Sequence, residues 1–303
     1  MFEGFVCEVT GKKVAVRDCL ACAQRGGREG CQFTYPILKG IADHSGPRNL
    51  GADWDRPVVS VTELLGCPRQ WRLRKEHDYY VRPSQAYWAF RGTIGHEMLA
   101  GNALASAIVE KRYYYRRDDY VLTGQPDLVT AQGVLVDYKT TKHLPRPIQT
   151  YHCLACGAEL RRGQWKARAN HTLTCPACQA RYRGRDVEPT ESPPEPYAHH
   201  VEQLNLYAWL LTQHDIEIAA AQVVYLDMAG VLRLQASLHD LESVAELIDK
   251  RLAAFARDER VRDMEDDPWN CRYCNVSGAC THEAVAEAPA ETAEAHVRHV
   301  AVA

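Results

Sequence analysis

The sequence predicts an α/β (α+β) fold, because runs with helical apolar spacing alternate with short β-branched and aromatic runs, and turn signals separate them. Apolar residues make up 46% of the 303 residues and charged residues 25%, which excludes a mainly disordered chain and allows about two domains. The start, MFEGFVCEVTGKK, has no basic segment followed by an apolar run, and the apolar stretches fall far short of the roughly 18 residues a membrane span needs. Neither signal peptide nor membrane span is expected, and the expected location is cytoplasmic.

Ser60 and Glu63 form a capping-box pair opening a helix to His77 that carries Cys67, with Pro68 placed to break or kink it. A second helical run follows Pro83, through Gln85-AYWAFRGTIGHEMLAGNALA, with Trp88, Ile94, Met98 and Leu99 on or near one face and His96 between them. Lys111-RYYYRR, Tyr120-VLTGQPDLVTA and Val134-LVDYKTT have strand character and are parted by Asp118-Asp119 and Gln132-Gly133, predicting an antiparallel meander. Tyr197-AHHVEQLNLYAWLLTQ predicts an amphipathic helix, and Glu217-IAAAQVVYLDM and Val231-LRLQAS predict two more strands. Ser237 with Asp240 is expected to cap a last helix to about Arg257.

Twelve cysteines are abnormal for a chain with no expected export signal, where thiols stay reduced, so metal binding is expected. Cys153-x2-Cys156-x18-Cys175-x2-Cys178 has zinc-ribbon spacing, and closing such a tetrahedron contributes on the order of 10 kcal/mol to a module too small for its own core. Cys7, Cys19, Cys22 and Cys31 have a single Cys-x2-Cys knuckle; a second structural Zn2+ is expected there, with His44 able to replace one thiolate. Cys271, Cys274 and Cys280 supply three close thiolates, and the fourth candidate, Cys67, lies far upstream. That arrangement suggests a clasp joining distant chain segments, and spacing alone leaves it open between zinc and an iron–sulfur cluster.

Three further motifs sit on the predicted elements in order: GQPD (Gly124 to Asp127), DYK (Asp137 to Lys139) and QLNLY (Gln203 to Tyr207). Together with His96 upstream, they resemble the PD-(D/E)XK nuclease superfamily in its RecB-like branch, with its helical His, GxxD, (D/E)xK and QxxxY. With the one-plus-three cysteine clasp, the chain is similar to CRISPR-associated RecB-type exonucleases and AddB-type nuclease domains. The resemblance covers about residues 60 to 282 apart from an insertion. It implies a restriction-endonuclease-like core, a mixed central sheet flanked by helices, and a [4Fe-4S] cluster held by Cys67, Cys271, Cys274 and Cys280.

The chemistry fits these residue types. Phosphodiester hydrolysis needs a divalent ion to offset phosphoryl charge and generate hydroxide near neutral pH. Adjacent antiparallel strands can bring Asp127 and Asp137 to one ion, and the strand period of two puts Asp137 and Lys139 on one face. The resemblance implies metal ligation by His96 and by the Tyr138 carbonyl, and the imidazole favours Mn2+ over Mg2+. Lys139 would orient or deprotonate the attacking water or stabilise developing charge. Gln203 and Tyr207, one turn apart, would hold the scissile phosphate or the strand backbone. Taken singly, each has an ordinary alternative: Asp127 as a turn residue, Lys139 as a solvated strand residue, Tyr207 as core.

Between DYK and QLNLY an insertion of about 55 residues starts at His143, bounded by prolines and containing the expected ribbon. Residues 151–185 hold Arg161, Arg162, Lys166, Arg168, Arg181, Arg183 and Arg185 against Glu159, a net of +6 in a chain of net −3. Trp165 and Tyr182 stand among them as candidate base-stacking residues. The ribbon is therefore expected to grip or gate a single strand. The expected organisation is an N-terminal zinc-binding module (1–50), a nuclease core with the cluster (51–282), the inserted ribbon (148–190) and a tail (283–303). The expected function is a metal-dependent exonuclease on single-stranded DNA ends, in CRISPR adaptation or in recombination and repair, with an integrase or helicase as partner. The alternative is a non-catalytic zinc and iron–sulfur DNA-binding subunit.

Overall fold

A computed structural model describes residues 1–45, 54–117, 119–160, 172–175, 177–183, 187–257, 271 and 274–280. The chain opens with β1 (Phe2–Val6), β2 (Lys13–Ala15), α1 (Val16–Gln24) and α2 (Tyr35–Ser45). Next come β3 (Val58–Ser60), α3 (Val61–Leu64), α4 (Pro68–Glu76), β4 (Tyr79–Val81) and α5 (Pro83–Ala100). The expected helix over 60–77 is two helices. The capping box forms, with Glu63 N donating to Ser60 Oγ at 3.2 Å and Ser60 N to Glu63 Oε2 at 2.8 Å, but α3 ends within one turn. Pro68 starts α4 at its first position, where its missing N–H costs nothing, so Cys67 is the N-cap residue of α4 instead of lying inside a helix.

β5 (Ile108–Val109), β6 (Tyr113–Arg116), β7 (Val121–Gly124), β8 (Leu128–Val129) and β9 (Val134–Thr140) follow. The expected meander is divided between two sheets. β6 and β7 pair antiparallel and β7 pairs parallel with β3, whereas β8 pairs antiparallel with both β5 and β9. The break falls at Gln125-Pro126, where proline has no N–H to continue a ladder, and it leaves Asp127 at the corner between the sheets.

β10 (Ile148–His152), β11 (Glu159–Leu160), β12 (Thr172–Thr174), β13 (Arg181–Arg183) and β14 (Thr190–Ser192) form the excursion after β9. Its two arms close on each other, with β10 and β14 paired antiparallel from Ile148↔Ser192 to Thr150↔Thr190. The chain returns through α6 (Ala198–Thr212), β15 (Ala220–Leu226), β16 (Val231–Ala236) and α7 (Leu241–Arg257). The main sheet has the order β16-β15-β9-β8-β5, with β15 parallel to β9 and the other neighbours antiparallel. The described architecture is thus mixed α/β with mixed sheets, consistent with the PD-(D/E)XK fold.

The amphipathic reading of α6 fails, because every residue from Gln203 to Leu211 is buried. The helix packs against β6, β7, β9, β15, α3 and α7, and a helix apolar on all sides has no reason to leave the core. Its amide Asn205 is satisfied there, donating to the Val201 and Ser237 carbonyls at 2.9 Å each and accepting His239 N–H at 2.6 Å. Ser237 thus serves α6, while Asp240 alone caps α7, accepting from Ser243 N at 2.8 Å. On α5 the predicted apolar face is also displaced, since Ile94 and Met98 are exposed. The side turned to β9 carries Gly92 and Gly95, where added Cβ atoms would lie 3.4 and 3.7 Å from the Thr140 side chain. That close approach brings His96 against the strand.

The N-terminal segment packs on this same region. β1 pairs parallel with β4, and Phe5, Leu38 and Ile41 form a buried cluster with Val81, Tyr87 and Phe90.

Candidate active site and cysteine groups

Asp127 and Asp137 face each other across the β8–β9 ladder, whose register pairs Leu128 with Val136. Asp127 Oδ2 accepts the Tyr138 N–H at 2.7 Å, and Asp127 Oδ1 lies 3.2 Å from His96 Nδ1. The other ring nitrogen of His96 lies 2.9 Å from the Tyr138 carbonyl oxygen. Asp127 and the carbonyl of Tyr138 thus meet different nitrogens of the His96 ring. Lys139 Nζ lies 3.0 Å from Asp137 Oδ2 on the same strand, and Gln203 Nε2 donates to the Tyr207 hydroxyl at 3.2 Å nearby in the core.

Gly124 explains how α6 comes so close. A Cβ there would lie 2.7 Å from Leu210 Cδ2 and 3.0 Å from the Tyr207 ring, so only the bare backbone of GQPD fits beneath the helix.

One member was missed by sequence reasoning. Glu110, between β5 and β6, offers a carboxylate oxygen 3.9 Å from His96 Nδ1, and one ligand atom each from His96, Glu110 and Asp127 lies within 4.8 Å of the others. Its backbone adopts φ +46°, a left-handed conformation that costs a non-glycine residue about 1–3 kcal/mol. Nothing in the run AIVEKRYYY signals that turn. A cleft of about 330 Å³ opens beside the three residues, walled by Leu99, Ala103 and Leu104.

The electrostatics are those of a cation site. Burial first, opposed by Lys139 and aided by Asp127, pushes the Asp137 carboxyl up to about 6. Burial and the charge of Asp127 likewise raise Glu110. Burial opposes a charge on Lys139, but Asp137 and Asp127 outweigh it and hold the ammonium above its ordinary value. For His96, too, burial is outweighed by the hydrogen bond and charge of Asp127, which raise its pKa. Tyr207 is pushed up to about 12, chiefly by burial, and stays a phenol. Asp137 Oδ2 is buried and accepts no well-formed hydrogen bond although Lys139 Nζ is near. The imidazole of His96 with the carboxylates of Glu110 and Asp127 is a donor set that fits a divalent cation, and Asp137, paired with Lys139, is not in that group.

The ribbon cysteines come together. The four Sγ atoms of Cys153, Cys156, Cys175 and Cys178 lie within 4.8 Å of one another, with Cys153 to Cys178 and Cys156 to Cys175 both 3.5 Å. Ligands on a zinc at about 2.3 Å stand roughly 3.8 Å apart, so the group is the right size for one ion. Both knuckles fold alike: Cys153 N donates to Ala158 O at 2.8 Å and Gly157 N to Cys153 O at 2.8 Å, matched by Cys175 N to Ala180 O at 2.9 Å and Gln179 N to Cys175 O at 3.0 Å. Tyr182, read as a stacking residue, is instead engaged here. Its hydroxyl lies 3.1 Å from Cys153 Sγ and accepts Ala155 N–H at 3.1 Å, and its ring packs on Cys153, Cys175 and Val187. Arg181 and Arg183 flank it on exposed positions of β13, whereas Arg161, Arg162, Trp165, Lys166, Arg168 and Arg185 lie outside the described residues.

The other two groups are looser. The same knuckle pattern recurs at Cys7, with Cys7 N to Lys12 O at 2.9 Å and Gly11 N to Cys7 O at 2.8 Å, but Thr10 occupies the second cysteine's place. Burial first, then the charges of Cys31, Cys7 and Cys22, push Cys19 up to about 11, but among the described residues these four thiols form no metal-sized group. His44 Nδ1 is bonded to the Gly40 carbonyl at 2.8 Å and its ring lies on Phe90. Cys274 stands beside α4, accepting Gln70 Nε2–H at 3.4 Å. Burial raises its thiol pKa, and the neighbouring Cys67 adds to the shift. Among the described residues, no metal-sized group joins Cys67, Cys271, Cys274 and Cys280.

Residues 184–281 match the PD-(D/E)XK nuclease superfamily. The match contains Gln203 and Tyr207 and ends beyond Cys280, while His96, Asp127, Asp137 and Lys139 lie upstream of it. No curated protein matches the chain. Among solved structures, one titled "Crystal structure of SSO0001" is similar at 17% identity, covering 84% of this chain and 97% of that one with a TM-score of 0.47.

Proposed function

We propose that this chain is a metal-dependent nuclease of the RecB-like branch, hydrolysing phosphodiester bonds of DNA as an exonuclease on single-stranded ends. The grouping of His96 with Asp127 at the corner between two sheets, with the Tyr138 carbonyl on the other ring nitrogen and the Asp137–Lys139 pair on the same strand, supports this reading. The superfamily match at 184–281 supports nuclease chemistry independently of those residues.

His96, Asp127, Asp137 and the Tyr138 carbonyl would hold Mn2+ or Mg2+. When bound, such an ion neutralises phosphoryl charge and lowers the pKa of a water. Lys139, kept protonated by its carboxylate neighbours, serves as a fixed cation for charge developing on the phosphate more readily than as a base. Tyr207 accepts its hydrogen bond from Gln203, which leaves the phenol proton to donate to a phosphate oxygen. Gln203 thus positions Tyr207.

Cys67, Cys271, Cys274 and Cys280 are assigned to a [4Fe-4S] cluster by resemblance. Such a cluster seats its thiolates on four different irons, so they need not crowd as the ligands of one ion do. The tie of α4 to this segment, through Gln70 to Cys274 and Arg74 Nε to Asn275 Oδ1 at 3.0 Å, supports the pairing of distant chain segments. Cys153, Cys156, Cys175 and Cys178 are assigned one structural Zn2+, and Cys7, Cys19, Cys22 and Cys31 another, supported by the shared knuckle at Cys7. The basic ribbon would contact a single strand. CRISPR adaptation or recombination and repair, in the cytoplasm and with an integrase or helicase partner, are the settings proposed. No described helix is long and apolar enough to cross a membrane.

The test is anaerobic purification with metal analysis, then digestion of end-labelled single-stranded DNA with Mn2+, with Asp137→Ala and Lys139→Ala as controls. Cleavage lost in both variants is expected; cleavage surviving in both overturns the site. Strand binding without Mn2+-dependent cleavage by the native chain would favour a non-catalytic subunit, and zinc without iron would remove the cluster.

A further inference from the structure

We infer that Glu110 is a further ligand of the catalytic cation, held in place by Gln125 and Arg112. This rests on the metal-dependent reading above and adds residues that the motifs do not name. The two oxygens of Glu110 are differently engaged: Oε2 accepts Gln125 Nε2–H at 2.7 Å, while Oε1 is the atom turned toward His96 Nδ1 at 3.9 Å. One lone-pair set is thus used to fix the carboxylate and the other is directed at the point where His96 and Asp127 converge. Gln125 is itself oriented, because its Oε1 accepts a hydrogen bond from Arg112 Nη2. An amide whose oxygen is taken by a guanidinium can present only its N–H to Glu110, so the carboxylate cannot be met in the wrong sense.

The backbone points the same way. Glu110 N donates to the Asp127 carbonyl at 3.2 Å, which ties the turn carrying Glu110 to the residue carrying the second carboxylate. Glu110 carries a left-handed φ of +46° in the turn between β5 and β6. One ligand atom each from Glu110, His96 and Asp127 lies within 4.8 Å of the others, the spread of ligands around one ion. Gln125 of GQPD gains a role by this reading: it is a positioning residue for a ligand fifteen residues upstream.

The test is Mn2+ titration of the metal-stripped full chain, read by loss of the free-ion electron paramagnetic resonance signal. Glu110→Gln, which preserves shape, is expected to weaken Mn2+ binding at least tenfold, and Gln125→Ala by about tenfold, the size seen when a ligand's supporting partner is removed. Glu191→Gln, an exposed residue paired with Gln149, should bind as the native chain does. Circular dichroism melting reports whether each variant folds, and Gln125→Ala carries the test if Glu110→Gln does not. Native-like Mn2+ affinity in Glu110→Gln, with Asp127→Asn weakened, overturns the role of Glu110 and leaves the nuclease reading standing. A native chain that binds no Mn2+ overturns both.

Discussion

Lys139 Nζ lies 3.0 Å from Asp137, whose side chain is only 2% exposed, so the central strand of the main sheet carries an ion pair inside the core. Removing one partner of such a pair strands the other charge without solvent, at a cost of about 3–5 kcal/mol. Asp137→Ala should therefore lower unfolding stability by that order in urea melts. Asp137→Leu combined with Lys139→Met should recover most of it while remaining inactive on DNA. Full stability in Asp137→Ala would show the pair to be less buried than described.

Gly124 sits beneath Tyr207 and Leu210 with no room for a Cβ. Gly124→Ala should cost about 1–3 kcal/mol through overpacking. Because the Tyr207 ring lies next to Leu210 in that obstruction, cleavage should fall further than stability alone explains, which a single-turnover assay under folding conditions would reveal.

The candidate site's side-chain pairings were legible where short-range rules govern them. Asp137 and Lys139 share a face because strands alternate, and Gln203 and Tyr207 share one because helices repeat every turn; both pairs are bonded side chain to side chain. Glu110 was illegible because its reach depends on a backbone angle that no residue type there announces. The apolar face of α5 was misread for a related reason. Ile94 and Met98 look like a core stripe, but Gly92 and Gly95 allow the closer approach and take the buried side. In α6, the run LNLYAWLL is apolar on every side apart from Asn205, which is the pattern of a helix buried all round, and the amphipathic reading overlooked it.

His96 meets acceptors at both ring nitrogens, Asp127 at 3.2 Å and the Tyr138 carbonyl at 2.9 Å, an arrangement satisfied only by the protonated ring. Its folded pKa is raised above the unfolded value of about 6.5, so the protonated ring adds stability fully below that value. The contribution is lost as pH rises through the folded pKa. Metal-stripped protein should therefore lose stability as pH rises above the ordinary imidazole value, by a component absent from His96→Gln. Mn2+ affinity should run oppositely and rise with pH, because the ion displaces that proton. Parallel stability profiles of the two proteins in EDTA would contradict the assignment.

The ribbon's Cys153 is met by the Tyr182 hydroxyl at 3.1 Å. Tyr182→Phe should weaken zinc retention roughly tenfold against a chelator, with the main sheet unaffected. Deleting residues 148–190 should lower affinity for single-stranded DNA and flatten its salt dependence by about 0.7 log unit for each phosphate no longer neutralised. An unchanged salt slope would remove the ribbon from the DNA path.

β9 and β15 are parallel neighbours, yet the chain between Thr140 and Ala220 contains the entire ribbon as well as α6. The sheet's middle pairing is thus the one with the greatest sequence separation to close, and such pairings set folding rates more than stabilities. A ribbon drawn together by its stem shortens that closure. With zinc assigned to the ribbon as proposed, chains made where zinc is scarce should reach the native state slowly and spend longer with the Val- and Leu-rich β9 uncovered, which would show as a lower yield during synthesis.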